Sequence, residues 1–333
     1  MKIRLCPICT AEHFRILQKF PEMTPSCDLV ECSFCQLLYI QPCPPSEKVI
    51  AQYLENDYFQ RGGNPNGYSN YLEDRELHVA FFRKQLAWLE SQIPPGKLLD
   101  VGCAAGFLVE EANRRGWEAS GVDLSPFAIH HARHVLKLEV FHGKLREMRV
   151  ASNSFRVVIM NDVIEHFEDP LAEAQEVARI LEPGGIWLLH TPNAKSPWRW
   201  GMGKKWMHLK PSEHLTYFTP DTIRKLFESS NLQPIMARSA AKATHLKYIV
   251  GVIGKKYPFA ANQLHQIFGN MKFWKKPFEF RGGGMQAAAR KPIREPGFLK
   301  EIERDGVSYT HSVLGGKNNG QFELILYGLR YTL

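Results

Sequence analysis

LLDVGCAAGF, residues 98–107, is an apolar run that ends in an acidic residue, enters a glycine-bearing turn and continues into the start of a helix. A strand, a tight turn and a helix start in that order form a cradle for a nucleotide-like cofactor. A dinucleotide requires G-x-G-x-x-G, so that backbone amides can approach a pyrophosphate. Here Ala104 stands at the second glycine position and Phe107 at the third. A nucleoside triphosphate loop requires G-K-[ST], which does not follow. Two phosphate-bearing cofactors are thereby set aside.

Outward from this turn, strand-like and helix-like segments alternate. KLLDV (97–101), EASGVD (118–123), LEVFHG (138–143), FRVVIMND (155–162) and IWLLHTPN (186–193) read as strands. Between them lie helices with Ser125 and Asp169 as caps, each followed by proline at the first helical position,. The second of these is expected to run to Gly184. Such alternation implies right-handed crossovers and a parallel α/β sheet that binds ligands at the carboxyl ends of its strands. Upstream, apolar residues at three- and four-residue spacing over 70–93 predict a helix,. Downstream, residues 219–232 read as a helix capped by Thr219, and GMQAAARKP (284–292) as a last strand.

A cofactor without phosphates relaxes the demand on the turn, and S-adenosylmethionine meets that condition. Asp123 ends the second strand, where it can accept hydrogen bonds from both ribose hydroxyls,. Asp100 is placed to orient the turn and meet the cofactor's ammonium group. Taken together, LLDVGCAAGFL, GVDLSP, FRVVIMNDVIEHFEDP and ARILEPGGIWLLHTPN resemble the linked motifs of the class I S-adenosylmethionine-dependent methyltransferases over about residues 50–292,. That resemblance implies a Rossmann-like sheet with helices on both faces. It also implies a cofactor site drawn from Asp100, Gly102, Cys103, Gly106, Asp123, Leu124, Asn161 and Asp162. YFQRGGNPNGYSNYLEDR (58–75) resembles a lid segment of a bacterial subgroup in which a zinc ribbon precedes the methyltransferase. Sugar C-methyltransferases and ubiquinone-type O-methyltransferases are its better-understood relatives. The sequence departs from the pattern at Ala104, at Lys144, where many relatives place Asp, and at Arg156.

Six of the seven cysteines fall within residues 1–45. Cys6/Cys9 and Cys32/Cys35 are two C-x2-C pairs, each able to supply two corners of a tetrahedral zinc site,. Four thiolates leave no open position, so a structural metal is expected. The expected division is a zinc ribbon at 1–45, a helical lid at 46–95, the methyltransferase domain at 96–292 and an extension of unassigned role at 293–333.

Methyl transfer to a hydroxyl or carbon acid needs a base. His214, with Glu213 beside it in PSEHLTYF, is the first candidate, and the resemblance to sugar C-methyltransferases supports the pair,. Glu165-His166 is a rival pair, expected to pack and to line the pocket. Charge is unevenly spread. Residues 1–95 carry nine Lys/Arg against eleven Asp/Glu, residues 96–192 ten against fourteen, and residues 193–333 twenty-three against nine. A basic last third suits an anionic partner: a nucleotide-sugar, a lipid-linked precursor or RNA. RNA is disfavoured, because neither an N-P-P-Y-type clamp nor a nucleophilic cysteine stands near the fourth and fifth strands. Trp198, Trp200 and Trp206 interleave with Arg199, Lys204 and Lys205, a pattern compatible with a membrane surface or with lid packing,. No secretory signal or span-length apolar run is present, so the cytoplasm is the expected compartment,. The expected protein is a methyltransferase for a small or lipid-linked anionic metabolite. An RNA methyltransferase and a non-catalytic scaffold are the alternatives.

Overall fold

The first strands are antiparallel: β1 (Phe14–Phe20), β2 (Cys27–Cys32) and β3 (Leu38–Gln41) form a meander. Turns at 7–9 and 33–35 carry the two cysteine pairs. This computed structural model describes residues 4–23, 25–54, 71–244, 246, 249–250, 258–269, 271, 278–293, 299–304, 307–312, 317–318, 321–326 and 329–332. Most of the segment read as a lid, 58–75, lies outside the described residues. Helix α1 spans Ser46–Leu54. Helix α2 (Arg75–Glu90) buries Val79, Phe82, Leu86 and Leu89, the stripe that its apolar spacing dictates,.

The α/β core follows as β4 (Lys97–Val101), α3 (Phe107–Arg114), β5 (Glu118–Asp123), α4 (Pro126–His130), β6 (Val140–His142), β7 (Phe155–Asn161), α5 (Pro170–Ile180) and β8 (Leu181–Pro192). It continues through α6 (Pro197–Met202), β9 (Thr216–Tyr217), α7 (Pro220–Ser229), β10 (Gln233–Thr244) and β11 (Phe278–Arg290). The sheet order is β10-β11-β8-β7-β4-β5-β6, parallel from β6 to β8 and antiparallel at β11 and β10. Period-two alternation sorts the strand residues onto two faces. Leu99, Val101, Val158, Met160, Trp187 and Leu189 pack with α5 and α7. Leu98, Val157, Ile159, Ile186 and Leu188 pack with α2, α3 and α4. Helices therefore cover both faces, as the motif pattern implied. As expected, Ser125 and Asp169 cap α4 and α5 by accepting from the Ala128 and Ala172 amides.

Two local readings are corrected. Helix α5 ends at Ile180 rather than Gly184, and β8 begins at Leu181. A register shift opposite Phe155–Val157 absorbs the proline-glycine stretch. There a Cβ on Gly185 would sit 2.8 Å from the Glu182 carbonyl oxygen. Strand β10, twelve residues long, was not anticipated, because QPIMARSAAKAT lacks an apolar run.

The ribbon sheet extends by one strand. β3 pairs with β9 through Leu38↔Tyr217 and Tyr39↔Thr216. One face of the ribbon (Val30, Cys32, Leu37, Tyr39) belongs to the same cluster as Phe218, Ile223 and Phe227. The other (Cys27, Leu29, Leu38, Ile40) packs on Ala194, Trp206 and Tyr217. A separate unit, Pro292–Leu333, contains a hairpin of β12 (Leu299–Arg304) and β13 (Val307–Ser312), and the short strands β14 (Lys317–Asn318), β15 (Gln321–Leu326) and β16 (Leu329–Thr332). Among the described residues no helix is long and apolar enough to cross a membrane.

Candidate active site

Chain direction across the sheet reverses between β4, which leads to β5 on one side, and β7, which leads to β8 on the other. A ligand crevice belongs outside the carboxyl ends of those two strands. At the end of β4, Gly102 (φ +78°), Ala104 (φ +46°) and Gly106 (φ +85°) give the turn three left-handed residues. A Cβ on Gly102 would lie 2.3 Å from Val163 Cγ2, so this glycine is required for contact as well as conformation,. Ala104 holds the left-handed shape without being glycine, and its amide donates to Asp123 Oδ2 at 2.8 Å. The Ser125 amide donates to Asp123 Oδ1, also at 2.8 Å. A carboxylate has about four acceptor positions, so Asp123 ties the turn to α4 and keeps capacity for two ribose hydroxyls.

Asp100 is buried, and burial together with the Asp123 charge pushes its carboxyl up to about 8. Cys103 packs against Gly121, where a Cβ would meet the Cys103 Cβ at 2.6 Å. The Leu124 carbonyl accepts from His142 Nε2 at 3.0 Å. Buried Tyr71 stacks on Phe107 at 5.5 Å, and its phenol is pushed well up by burial and by the charges of Asp100 and Asp123. Sequence reasoning did not single out Tyr71. The turn, its acidic neighbours and this aromatic wall fit an adenosine bearing an amino-acid tail.

At the end of β7, Asn161 exchanges side-chain hydrogen bonds with Gln85 of α2, at 2.8 and 3.1 Å. Asp162 adopts φ +56° and accepts from His190 Nδ1 at 2.8 Å and from Lys242 Nζ. Burial works against its ionised form, but Lys242 and His190 hold the carboxyl well below the usual carboxylate range. His190 ends an apolar strand, and Lys242 arrives from β10. Neither had been anticipated, although a histidine closing IWLLHTPN was a visible signal. A Cβ on Gly284 of β11 would stand 2.4 Å from His190 Nε2, so the glycine makes room for the ring.

Beyond Asp162, a 3-10 turn over Ile164–His166 faces the connection that carries Glu213 and His214. The two candidate pairs, read as rivals from the sequence, come together. His166 and His214 meet edge to face with centroids 4.8 Å apart. His166 Nδ1 donates to the Glu213 carbonyl at 3.0 Å and His214 Nδ1 to the His208 carbonyl at 2.8 Å, an arrangement that leaves the lone pair of each ring on Nε2,. Glu165 Oε2 accepts from Thr191 at 2.9 Å, and Glu165 Oε1 is buried without a hydrogen-bond partner. Donor atoms of Glu165, His166 and His214 lie within 4.8 Å of one another, close enough to share a cation or a proton. Burial keeps the rings neutral: His166 is lowered to about 4, and His214 falls well below its ordinary value, with His166 and Lys210 adding to the effect. Burial also pushes Glu165 up to about 8, helped by Asp162. Glu213 is fully buried, with Lys210 Nζ 3.6 Å away.

The four N-terminal thiols likewise converge. Cys6 and Cys35 sulfurs are 3.4 Å apart, Cys9 and Cys32 sulfurs 3.5 Å, and all four lie within 4.8 Å. Tetrahedral zinc with bonds of about 2.3 Å needs sulfur separations of about 3.8 Å. The Phe34 and Cys35 amides both point at Cys32 Sγ at 3.4 Å, a donor set suited to a thiolate. The cluster fits a tetrahedral metal with little movement.

The fold is similar to that of a SAM-dependent methyltransferase from Archaeoglobus fulgidus, with 16% identity and a TM-score of 0.44 over 66% of this chain and 99% of that one. Among curated proteins, a ubiquinone biosynthesis O-methyltransferase of Dinoroseobacter shibae is 30% identical over 151 residues, covering 42% of this chain and 60% of that protein. A protein of the same name from Alkalilimnicola ehrlichii is 32% identical over 140 residues, covering 40% and 55%. The match thus spans about three fifths of the length of these relatives. A family model described as "Methyltransferase domain" matches residues 71–236, from the buried tyrosine through the cofactor turn to the first residues of β10. Motifs, strand order and family model agree, and residues 71–236 belong to the class I S-adenosylmethionine-dependent methyltransferases.

Proposed function

We propose that this protein transfers a methyl group from S-adenosylmethionine to a hydroxyl of a small, anionic acceptor, at the carboxyl ends of β7 and β8. When bound, the cofactor supplies an electrophilic sulfonium methyl group, which an in-line nucleophile takes. Asp123 would hold the ribose, Asp100 the amino-acid end, and Gly102 to Gly106 the backbone floor. The observation that carries the acid–base part is the His166–His214 pair, neutral by burial and fixed in tautomer by backbone carbonyls. Nε2 of this pair takes the hydroxyl proton, and His166 is the more open ring,. Glu213 stands beside the pair and offsets the imidazolium charge that forms, while Glu165, pushed up to about 8 by burial, keeps its proton and can donate a hydrogen bond. The names of the curated relatives support an oxygen acceptor. Lys242, about two-fifths exposed at Asp162, and the basic last third of the chain support an anionic one, with a nucleotide-sugar or lipid-linked glycan precursor as the first classes to try. The thiolate cluster would hold a structural zinc.

The test is a methyl-transfer screen with labelled cofactor over hydroxylated aromatic acids, nucleotide-sugars, lipid-linked sugars and RNA. With the acceptor found, His214→Gln and His166→Gln are expected to lose about 10²–10⁴ in rate while cofactor affinity changes less than about twofold. Retention of more than about a tenth of the rate in both variants would remove the base role.

A further inference from the structure

Arg4 lies two residues before the first metal-binding cysteine, yet its side chain reaches into the acid–base region. Its guanidinium donates from Nη1 to the Glu168 carbonyl at 2.8 Å and from Nη2 to the Leu215 carbonyl at 3.0 Å. Those two carbonyls belong to the two segments that present His166 and His214. The segments are also stitched to each other, since the Leu215 amide donates to the Glu165 carbonyl at 2.8 Å. On the ribbon side, Arg4 is fixed by a reciprocal pair of bonds between its backbone and the Gln41 side chain, at 3.2 and 2.9 Å, and it lies 5.3 Å over the Tyr39 ring. The Ile40 amide donates to the same Leu215 carbonyl at 3.0 Å, and β3 continues onto β9 immediately after His214. Lys225 of α7 closes the arrangement by donating to the Cys35 carbonyl at 3.1 Å.

We propose, building on the acid–base role given above to His166 and His214, that Arg4 and strand β3 are positioning elements which hold the two histidine-bearing segments in register, and that the tetrathiolate metal acts on methyl transfer through them. Four backbone positions decide the matter: Glu165, Glu168, Leu215 and Tyr217 each bond to, or pair with, something that the ribbon fixes. The cofactor turn does not depend on the ribbon, because the Gly102 and Cys103 amides are bonded to the Val122 carbonyl inside the main sheet. Loss of metal, or of Arg4, should therefore loosen 164–168 and 213–217 and leave 100–106 as it was. The ribbon is a buttress of the active site, with both faces covered by the domain it supports.

Hydrogen exchange followed by mass spectrometry on the full chain tests this, with zinc content measured in each sample. Arg4→Ala, Arg4→Lys, Cys9→Ser and wild type stripped of metal by an organomercurial would be compared with untreated wild type. In Arg4→Ala and in the stripped protein, exchange at 213–217 and 164–168 is expected to rise at least about tenfold, with 100–106 unchanged and the Kd for S-adenosylhomocysteine within about twofold. Arg4→Lys, which can keep one of the two bonds, should recover part of the protection. With an acceptor in hand, kcat should fall while the cofactor KM holds. Unchanged exchange at 213–217 in both Arg4→Ala and the stripped protein would overturn the proposal, even where Cys9→Ser fails to fold. A methyltransferase reading that is itself wrong would show differently: untreated wild type would bind no cofactor, while the exchange pattern would still report on the buttress.

Discussion

Replacing Asp123 separates the task that its hydrogen bonds show, holding the turn, from the one proposed for it, holding a ligand. The carboxylate receives two amide hydrogen bonds at 2.8 Å, one from the cofactor turn and one from the start of α4. Bonds to a charged acceptor contribute about 1.5–3 kcal/mol each. Burial raises the Asp123 pKa and so opposes its charge, which favours the low end of that range. Asp123→Ala should therefore cost about 3 kcal/mol of stability, a fall in Tm of about 6–12 °C for a domain of this size. Two ribose bonds of similar strength would be lost as well, another 3 kcal/mol or so, equal to about a hundredfold in Kd. Asp123→Asn keeps one acceptor oxygen but turns an NH2 group toward an amide donor, and should lose about half as much on both counts. The assay is calorimetric titration with S-adenosylhomocysteine below the lowest Tm, beside thermal unfolding of all three proteins. An Asn variant that binds within twofold of wild type would refute the ribose role. An Ala variant as stable as wild type would refute the bonding described for the turn.

Metal analysis should find one zinc per chain, and Cys6→Ser should lose it and leave residues 1–45 open to protease, because three thiolates cannot close the site; a metal-free protein with a resistant ribbon would contradict this. Gly121→Ala would place a Cβ 2.6 Å from that of Cys103 and should cost about 1–3 kcal/mol in urea unfolding, part of which Cys103→Gly in the same chain should restore,. Stability of the cofactor-free protein should pass through a maximum near pH 6.5. His78, His166 and His208, each lowered to about 4 by burial, take up protons on unfolding below their ordinary value of 6.5, so stability rises with pH across 4–6.5,. Asp100 and Glu165, each raised to about 8 by burial, release protons on unfolding, so stability falls as pH rises from about 4 to 8 and only this effect remains above 6.5,. A urea midpoint that climbs steadily to pH 8 would contradict the buried protonation states.

The parallel strands were legible because burial on both faces writes near-continuous apolar runs, as in LLDV and FRVVIM. The cofactor turn was legible because its demands are local: a positive φ, a close approach and an acidic partner at the next strand end. Strand β10 was not, since small and polar residues at a sheet edge carry little pattern,. The surroundings of Asp162 were hidden for a different reason. His190 and Lys242 meet it from β8 and from the antiparallel β10, and only the strand order brings those chain positions together. The pairs 165–166 and 213–214 were both visible as Glu-His pairs, the second as the candidate base and the first expected to pack and line the pocket. Their convergence depends on Leu215 bonding back to Glu165 across nearly fifty residues, which no local pattern encodes.

The pairing of Leu38 with Tyr217 also bears on how this protein is made. Closing a loop of about 180 residues is entropically slow, and a chain leaves the ribosome at about 5–20 residues per second. Residues 1–45 are therefore synthesised well before the segments that cover them. Their four cysteines span only thirty positions, so a metal can close the knuckles while the rest of the chain is still being translated. Tyr39 and Leu38, on opposite faces of β3, then wait bare until Trp206, Tyr217 and Phe227 emerge. During that interval the nascent ribbon presents an unpaired strand edge and two apolar faces, the features that recruit chaperones or start aggregates. With zinc in the thiolate cluster, as proposed, supply of the metal during translation would bear on the yield of folded protein, ahead of any effect on the finished protein.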